Sequence, residues 1–107
     1  MFHVKQRIFV RTDLSIPGAG TVINIAHLEE IDRTHCTMVR MIELDPQESI
    51  RGATSNGRTV GQANQPQRIV PHPDTYHQFP DISSRRLSEE EFEALWNEAT
   101  AKFPELG

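Results

Sequence analysis

The sequence predicts an α+β domain: an antiparallel sheet of four to five strands, with a C-terminal helix packed on one face. Two observations carry that class. Apolar residues alternate with polar ones through much of residues 1–60, the period of a strand, whereas across residues 87–103 they recur at helical spacing. Residues 61–86, interrupted by Pro66, Pro71, Pro73 and Pro80, read as an extended crossing between the two. A chain of 107 residues and 12.2 kDa is one domain. It can bury about two-thirds of its extended surface, enough for one core but not two.

The first strand is expected over Phe2–Val10, with Phe2, Val4, Ile8 and Val10 on one face and Gln6 the exception. The other face, His3, Lys5, Arg7, Phe9 and Arg11, reads as solvated, and the strand is expected to expose an alternating edge. Ser15-Ile16-Pro17-Gly18-Ala19-Gly20 supplies turn chemistry, because proline presets φ and glycine accepts positive φ. A second strand spans about Thr21–Leu28, rich in β-branched Val22, Ile23 and Ile25. The polar run from Glu29 to Thr34 connects it to a third strand, Cys36–Leu44. There Cys36, Met38, Ile42 and Leu44 share one face, with Val39 and Met41 on the other. Asp45-Pro46 ends it, since proline cannot donate to a ladder. A fourth strand over Ser49–Thr54 meets Asn56-Gly57, the dipeptide of a type I′ hairpin, and Arg58-Thr59-Val60 returns as a short edge. The economical topology is a meander.

In the crossing, Ile69, Val70, Tyr76, Phe79 and Ile82 are apolar enough to pin the segment to the domain, with one helical turn near Asp74–Phe79. The helix is the sharpest element. Ser88 and Glu91 have capping-box spacing, Leu87 and Phe92 that of a hydrophobic staple, and Glu89, Glu90 and Glu91 suit the positive end of the helix dipole. Phe92, Leu95, Trp96, Ala99 and Phe103 form one apolar stripe, stopped by Pro104, and Trp96 is the expected core anchor.

The formal charge is −4, with −1 on residues 1–53 and −3 on residues 54–107. No block of Lys and Arg offsets it, so nucleic acid is not an expected partner. No apolar run nears the ~18 residues of a membrane span, and the opening residues lack a signal-peptide stretch. A cytoplasmic address is expected. Cys36 is the single cysteine, which excludes an internal disulfide and a multi-cysteine zinc site. It follows His35 on a strand, so the two side chains point to opposite faces, and a buried apolar thiol is preferred over a Cys–His pair.

Two groupings are candidate binding features. His72, Asp74 and His77, with Tyr76 between them, offer two imidazoles and a carboxylate, a legitimate ligand set. Their spacing across Pro73 is not that of a helical zinc motif, and a solvated loop is preferred. No metal and no cofactor are expected. Arg85-Arg86 before a helix start suggests an anion site, but the adjacent Glu89, Glu90 and Glu91 favour local ion pairing. The chain lacks a Gly-x-Ser-x-Gly elbow, a phosphate-binding Gly-rich loop and a His-Glu-x-x-His helix, so no catalytic residue is named.

Leu87-Ser88-Glu89-Glu90-Glu91-Phe92-Glu93-Ala94-Leu95-Trp96, with Gly57-Arg58-Thr59-Val60-Gly61 upstream, resembles a family of small uncharacterised bacterial proteins. Those proteins share a charged edge strand, a Gly-Arg turn, a proline-rich crossing and a closing helix of this pattern; the N-terminal third here lacks their aromatic-rich opening strand. The resemblance covers roughly the last seventy residues and implies a fold but no mechanism, because the matching residues are caps and core. The expectation is therefore a non-enzymatic bacterial interaction module with a protein partner, a homodimer through edge pairing or sheet packing included. The alternative is a small enzyme or metal-dependent protein using His72, Asp74 and His77.

Overall fold

The structure, a computed structural model, describes residues 6–18 and 20–106. The faces expected for Phe2, His3, Val4 and Lys5 lie outside these residues, as does Ala19 in the first turn. Five strands form the meander: β1 (Arg7–Ile16), β2 (Gly20–Glu30), β3 (His35–Leu44), β4 (Ile50–Ser55) and β5 (Arg58–Gly61). The β4–β5 turn has Asn56 at φ 52° and Gly57 at φ 79°, the two positive angles that a type I′ hairpin needs. The fold class holds, but the sheet has seven strands rather than four to five. The crossing contributes the other two, β6 (Ile69–Pro71) and β7 (Ile82–Arg86). β6 pairs with the start of β3, while β7 pairs antiparallel with β1 and closes the order β5-β4-β3-β2-β1-β7. A single 3₁₀ turn at Pro73–Gln78 stands where a helical turn is expected.

The helix α1 (Glu89–Lys102) begins as the sequence requires. Ser88 Oγ accepts from Glu91 N at 3.1 Å, and Glu91 Oε1 accepts from Ser88 N at 3.1 Å. Its stripe covers one sheet face, where Phe9, Ile23, Ile25, Ile42, Leu44 and Ala53 bury Phe92 and Ala99. Phe92 is fully buried and Trp96 only partly, so the anchor is Phe92. Phe92 and Ala99 lie two turns apart on the midline of the stripe, whereas Leu95 and Trp96 flank it. The opposite face is not open. Ile8, Val10, Ala26, Leu28 and Cys36 bury there beneath Val70 and Tyr76 of the crossing.

That double cover overturns two expectations for β1. Phe9 is not solvated, because the face carrying it lies against α1. Nor does β1 expose an edge, since β2 and β7 flank it. A third correction concerns β3. His27 pairs with Arg40 and Leu28 with Met38, so Val39 is a bulge residue with no partner on β2. One extra residue flips the period-two count. Cys36 and Met38 consequently pack on the crossing side, and Ile42 and Leu44 under the helix.

Beneath α1, β2 and β3 meet in a stack of rings and cations. The His27 ring lies 4.8 Å from Phe9 and 5.8 Å from Phe92, centroid to centroid. Arg40 donates from Nε to His27 Nδ1 at 3.0 Å and from Nη1 to Glu93 Oε1 at 2.7 Å, with its guanidinium over Phe92 and Trp96. His27 Nδ1 is therefore an acceptor, the proton sits on Nε2, and that buried N–H has no partner among the described residues. Burial, then the charges of Arg40 and Arg7, hold His27 below its ordinary value of 6.5. The folded state thus excludes a proton that the unfolded chain takes up, so stability should fall as pH drops through about 6.5 toward the depressed value. Asp13, held low chiefly by Arg11, loses its contribution only in the separate window below its ordinary 3.8. Denaturant midpoints at about pH 7.5 and 5.5 bracket the His27 step, and His27→Gln, which keeps an acceptor for Arg40, should flatten it. An unchanged slope in that variant assigns the step elsewhere.

Candidate functional site

The 3₁₀ turn Pro73–Gln78 organises the candidate residues. His72 caps it, and Pro73 supplies the fixed φ favoured at a first helical position. Every hydrogen-bonding group of His72 is occupied. Nδ1 accepts from Asp74 N at 3.0 Å, so Nε2 carries the proton and donates to Glu30 Oε2 at 2.9 Å. The backbone N–H donates to Thr34 O at 2.9 Å, and the carbonyl accepts from Thr75 Oγ1 at 2.8 Å. This histidine is 2% exposed and staples the crossing to the ends of β2 and β3. Asp74 is exposed and pairs with Arg86 at 3.0 Å, while His77 turns Nδ1 back to Asp74 O at 3.0 Å. The structure brings His72 and Asp74 together but spends them on folding. Among the described residues no three His, Cys, Asp or Glu side chains converge on a point where a metal could sit.

Tyr76 is half-buried over Val10, Ala26 and Cys36, and burial raises its phenol above the ordinary 10.0. Cys36 is fully buried, and burial followed by the Glu30 charge pushes its thiol up to about 11. A protonated, inaccessible thiol is no nucleophile. Around Tyr76, Phe79 and Ile82 lies an apolar hollow of about 230 Å³, floored by Val10, Ala26 and Met41.

Arg85 and Arg86 occupy β7, within the segment that the sequence predicts to be an extended crossing. Arg86 turns to Asp74, and Arg85 Nη1 approaches Glu91 Oε2 at 3.5 Å. Arg11 faces Arg85 across the ladder, and Asp13 faces Ser83. Leu87 N donates to Phe9 O at 2.8 Å and Ser15 N to Asp81 O at 3.2 Å. Alternation along the ladder then turns the N–H and C=O of Ser83 and Arg85 toward β1, and those of Ser84 and Arg86 outward. Ile82 N is taken by Phe79 O at 3.2 Å. Among the described residues the outer side of β7 is thus an unpaired strand edge beside an apolar hollow.

No known protein family, curated protein or solved structure matches this chain. No helix among the described residues is long and apolar enough to cross a membrane.

Proposed function

We propose that this chain is a non-enzymatic interaction module of the bacterial cytoplasm that takes a protein partner by strand addition at β7, and that this partner is a second copy of itself. The outward backbone groups of Ser84 and Arg86 carry the reading, because an open edge binds another strand through main-chain bonds whatever its side chains. Charges ordinarily guard such an edge. Here each arginine is drawn aside by its own acid, Arg85 by Glu91 and Arg86 by Asp74. The segment is also complementary to itself. Two copies of β7 paired antiparallel about Ser84 set Ser83 opposite the partner's Arg85 and Asp81 diagonal to it. Asp81 makes no ion pair among the described residues. Exposed pairs of this kind contribute only about 0.2–1 kcal/mol, so they set register while backbone bonds supply affinity. The arrangement is isologous and closes as a dimer.

Ser84→Pro removes an outward N–H without touching the bonds to β1. Sedimentation should show a dimer of the 12.2 kDa chain that Ser84→Pro converts to a folded monomer, whose Tm no longer depends on protein concentration. A monomer at high concentration, or a dimer indifferent to Ser84→Pro, overturns the reading.

A further inference from the structure

Where β3 changes partners, the sheet splits. β4 pairs with β3 as far as Arg40, opposite Ser55, and β6 takes over at Thr37, opposite Ile69. The bulge at Val39 makes the exchange. It lets two successive residues bond on the same side of β3, to segments that diverge: Met38 N donates to Arg68 O at 2.7 Å, and Val39 O accepts from Asn56 N at 3.5 Å. Between the hairpin turn and the chain at 65–68 lies a slot of about 490 Å³. That volume falls in the range of small-molecule sites, roughly 300–1,000 Å³.

One wall of the slot is tied down. Thr59 links Thr54, at 2.9 Å, to Gln65, and Gln65 Nε2 donates to Gly57 O at 3.3 Å. The remaining polar groups are uncommitted. The side chains of Glu29, Thr37, Asn56, Gln67 and Arg68 line the slot and make no hydrogen bond or ion pair among the described residues. They comprise one carboxylate, one guanidinium, two carboxamides and a hydroxyl, set around Met38, Val39 and Pro66. Among the described residues Arg7, Arg11, Arg40, Arg85 and Arg86 each hold an acid at 3.5 Å or less, whereas Arg68, like Arg33 and Arg58, holds none, and Arg68 shares its hollow with the unpaired Glu29.

We infer that this slot binds a short zwitterionic peptide, its ammonium on Glu29 and its carboxylate on Arg68. The guanidinium fork matches a carboxylate, and the amides of Asn56 and Gln67 both donate and accept, as a peptide bond requires. Met38 and Pro66 offer an apolar surface without a shaped pocket, and methionine adapts to varied side chains, so selection falls on the two charged ends rather than on sequence. This inference is independent of pairing at β7, from which the strands lining the slot are separated by β1.

The probe is trialanine, followed through backbone amide resonances. Millimolar trialanine should shift the signals of Met38, Val39 and residues 65–68. N-acetyl-trialanine and trialanine amide should each bind about tenfold or more weakly, the loss expected when a charged group goes unpaired. Glu29→Gln should abolish the penalty for acetylation while leaving that for amidation, and Arg68→Gln the reverse. Neither side chain supports the fold, so both variants should keep the wild-type spectrum elsewhere. No shift at about 10 mM, where even a roughly millimolar site is mostly filled, overturns the proposal. Equal binding of the capped peptides, or loss of both penalties in each variant, does so as well.

Discussion

Phe92→Ala should cost about 3–5 kcal/mol in a denaturant titration, a large part of the ~5–15 kcal/mol that holds a domain of this size. Phe92 is fully buried and meets Phe9 at 5.3 Å, His27 at 5.8 Å and Trp96 at 6.0 Å, with the Arg40 guanidinium 4.7 Å from its ring. Truncation therefore opens a cavity at the junction of β1, β2, β3 and α1, and removes the ring against which Arg40 is held. Trp96→Ala should cost less, because Trp96 already shares its surface with solvent and the helix midline stays filled. The ranking is the sharper test. If Trp96→Ala proves the more damaging, or Phe92→Ala costs under about 1 kcal/mol, α1 is docked by a different line of its stripe.

Sequence reading placed that stripe but not its centre, and the reason is geometric. Five apolar positions at spacings of three and four define a face; which of them sits deepest depends on what the sheet presents. Other features were legible because their causes are local. The capping box needs only Ser88 and Glu91, the hairpin only Asn56 and Gly57, and both stand as the sequence implies. β6 and β7 were illegible because their causes are distant. β6 is three residues long, paired with β3 more than thirty positions back, and four of the five residues of β7 are exposed. The Val39 bulge leaves no mark in composition, yet it reverses the faces of half a strand. The candidate site divides in the same way. Residues 72–77 stood out as a cluster of functional groups, but burial of His72 depends on Glu30, forty-two positions away. His72-Pro73-Asp74 did carry a readable signal, a cap followed by proline and an acid, and that signal is structural. The slot is assembled from β2, β3, a turn and the crossing, and no motif spans such a set.

Gly52→Ala should be as damaging as losing Phe92, although it adds a single methyl. Gly52 and Gly61 face each other across β4 and β5, and residues 62–64 fold back over them. A Cβ on Gly52 would lie 2.5 Å from Val60 O, 2.6 Å from Ala63 N and 2.9 Å from Ala63 Cβ. Two of those atoms are backbone, so relief requires moving the chain rather than turning a side chain, and the cost should reach about 3 kcal/mol or more, the upper end for overpacking. The displaced segment also carries Asn64, whose backbone N–H and side-chain amide lie 3.2 and 3.4 Å from Glu43 Oε1. Glu43 is 2% exposed, with only Arg51 Nε besides among the described residues, at 3.9 Å. Shifting Asn64 would leave a buried carboxylate short of donors, a loss on top of the clash. The control is Gly57→Ala. Gly57, unlike Gly52, has positive φ, at 79°, but nothing lies within 4 Å of its would-be Cβ, so only the left-handed penalty of about 1–2 kcal/mol applies. A loss at Gly52 no larger than at Gly57 would mean that residues 62–64 give way to the added methyl at little cost. A larger loss at Gly52 means that the chain entering the slot is held down where a side chain would lift it.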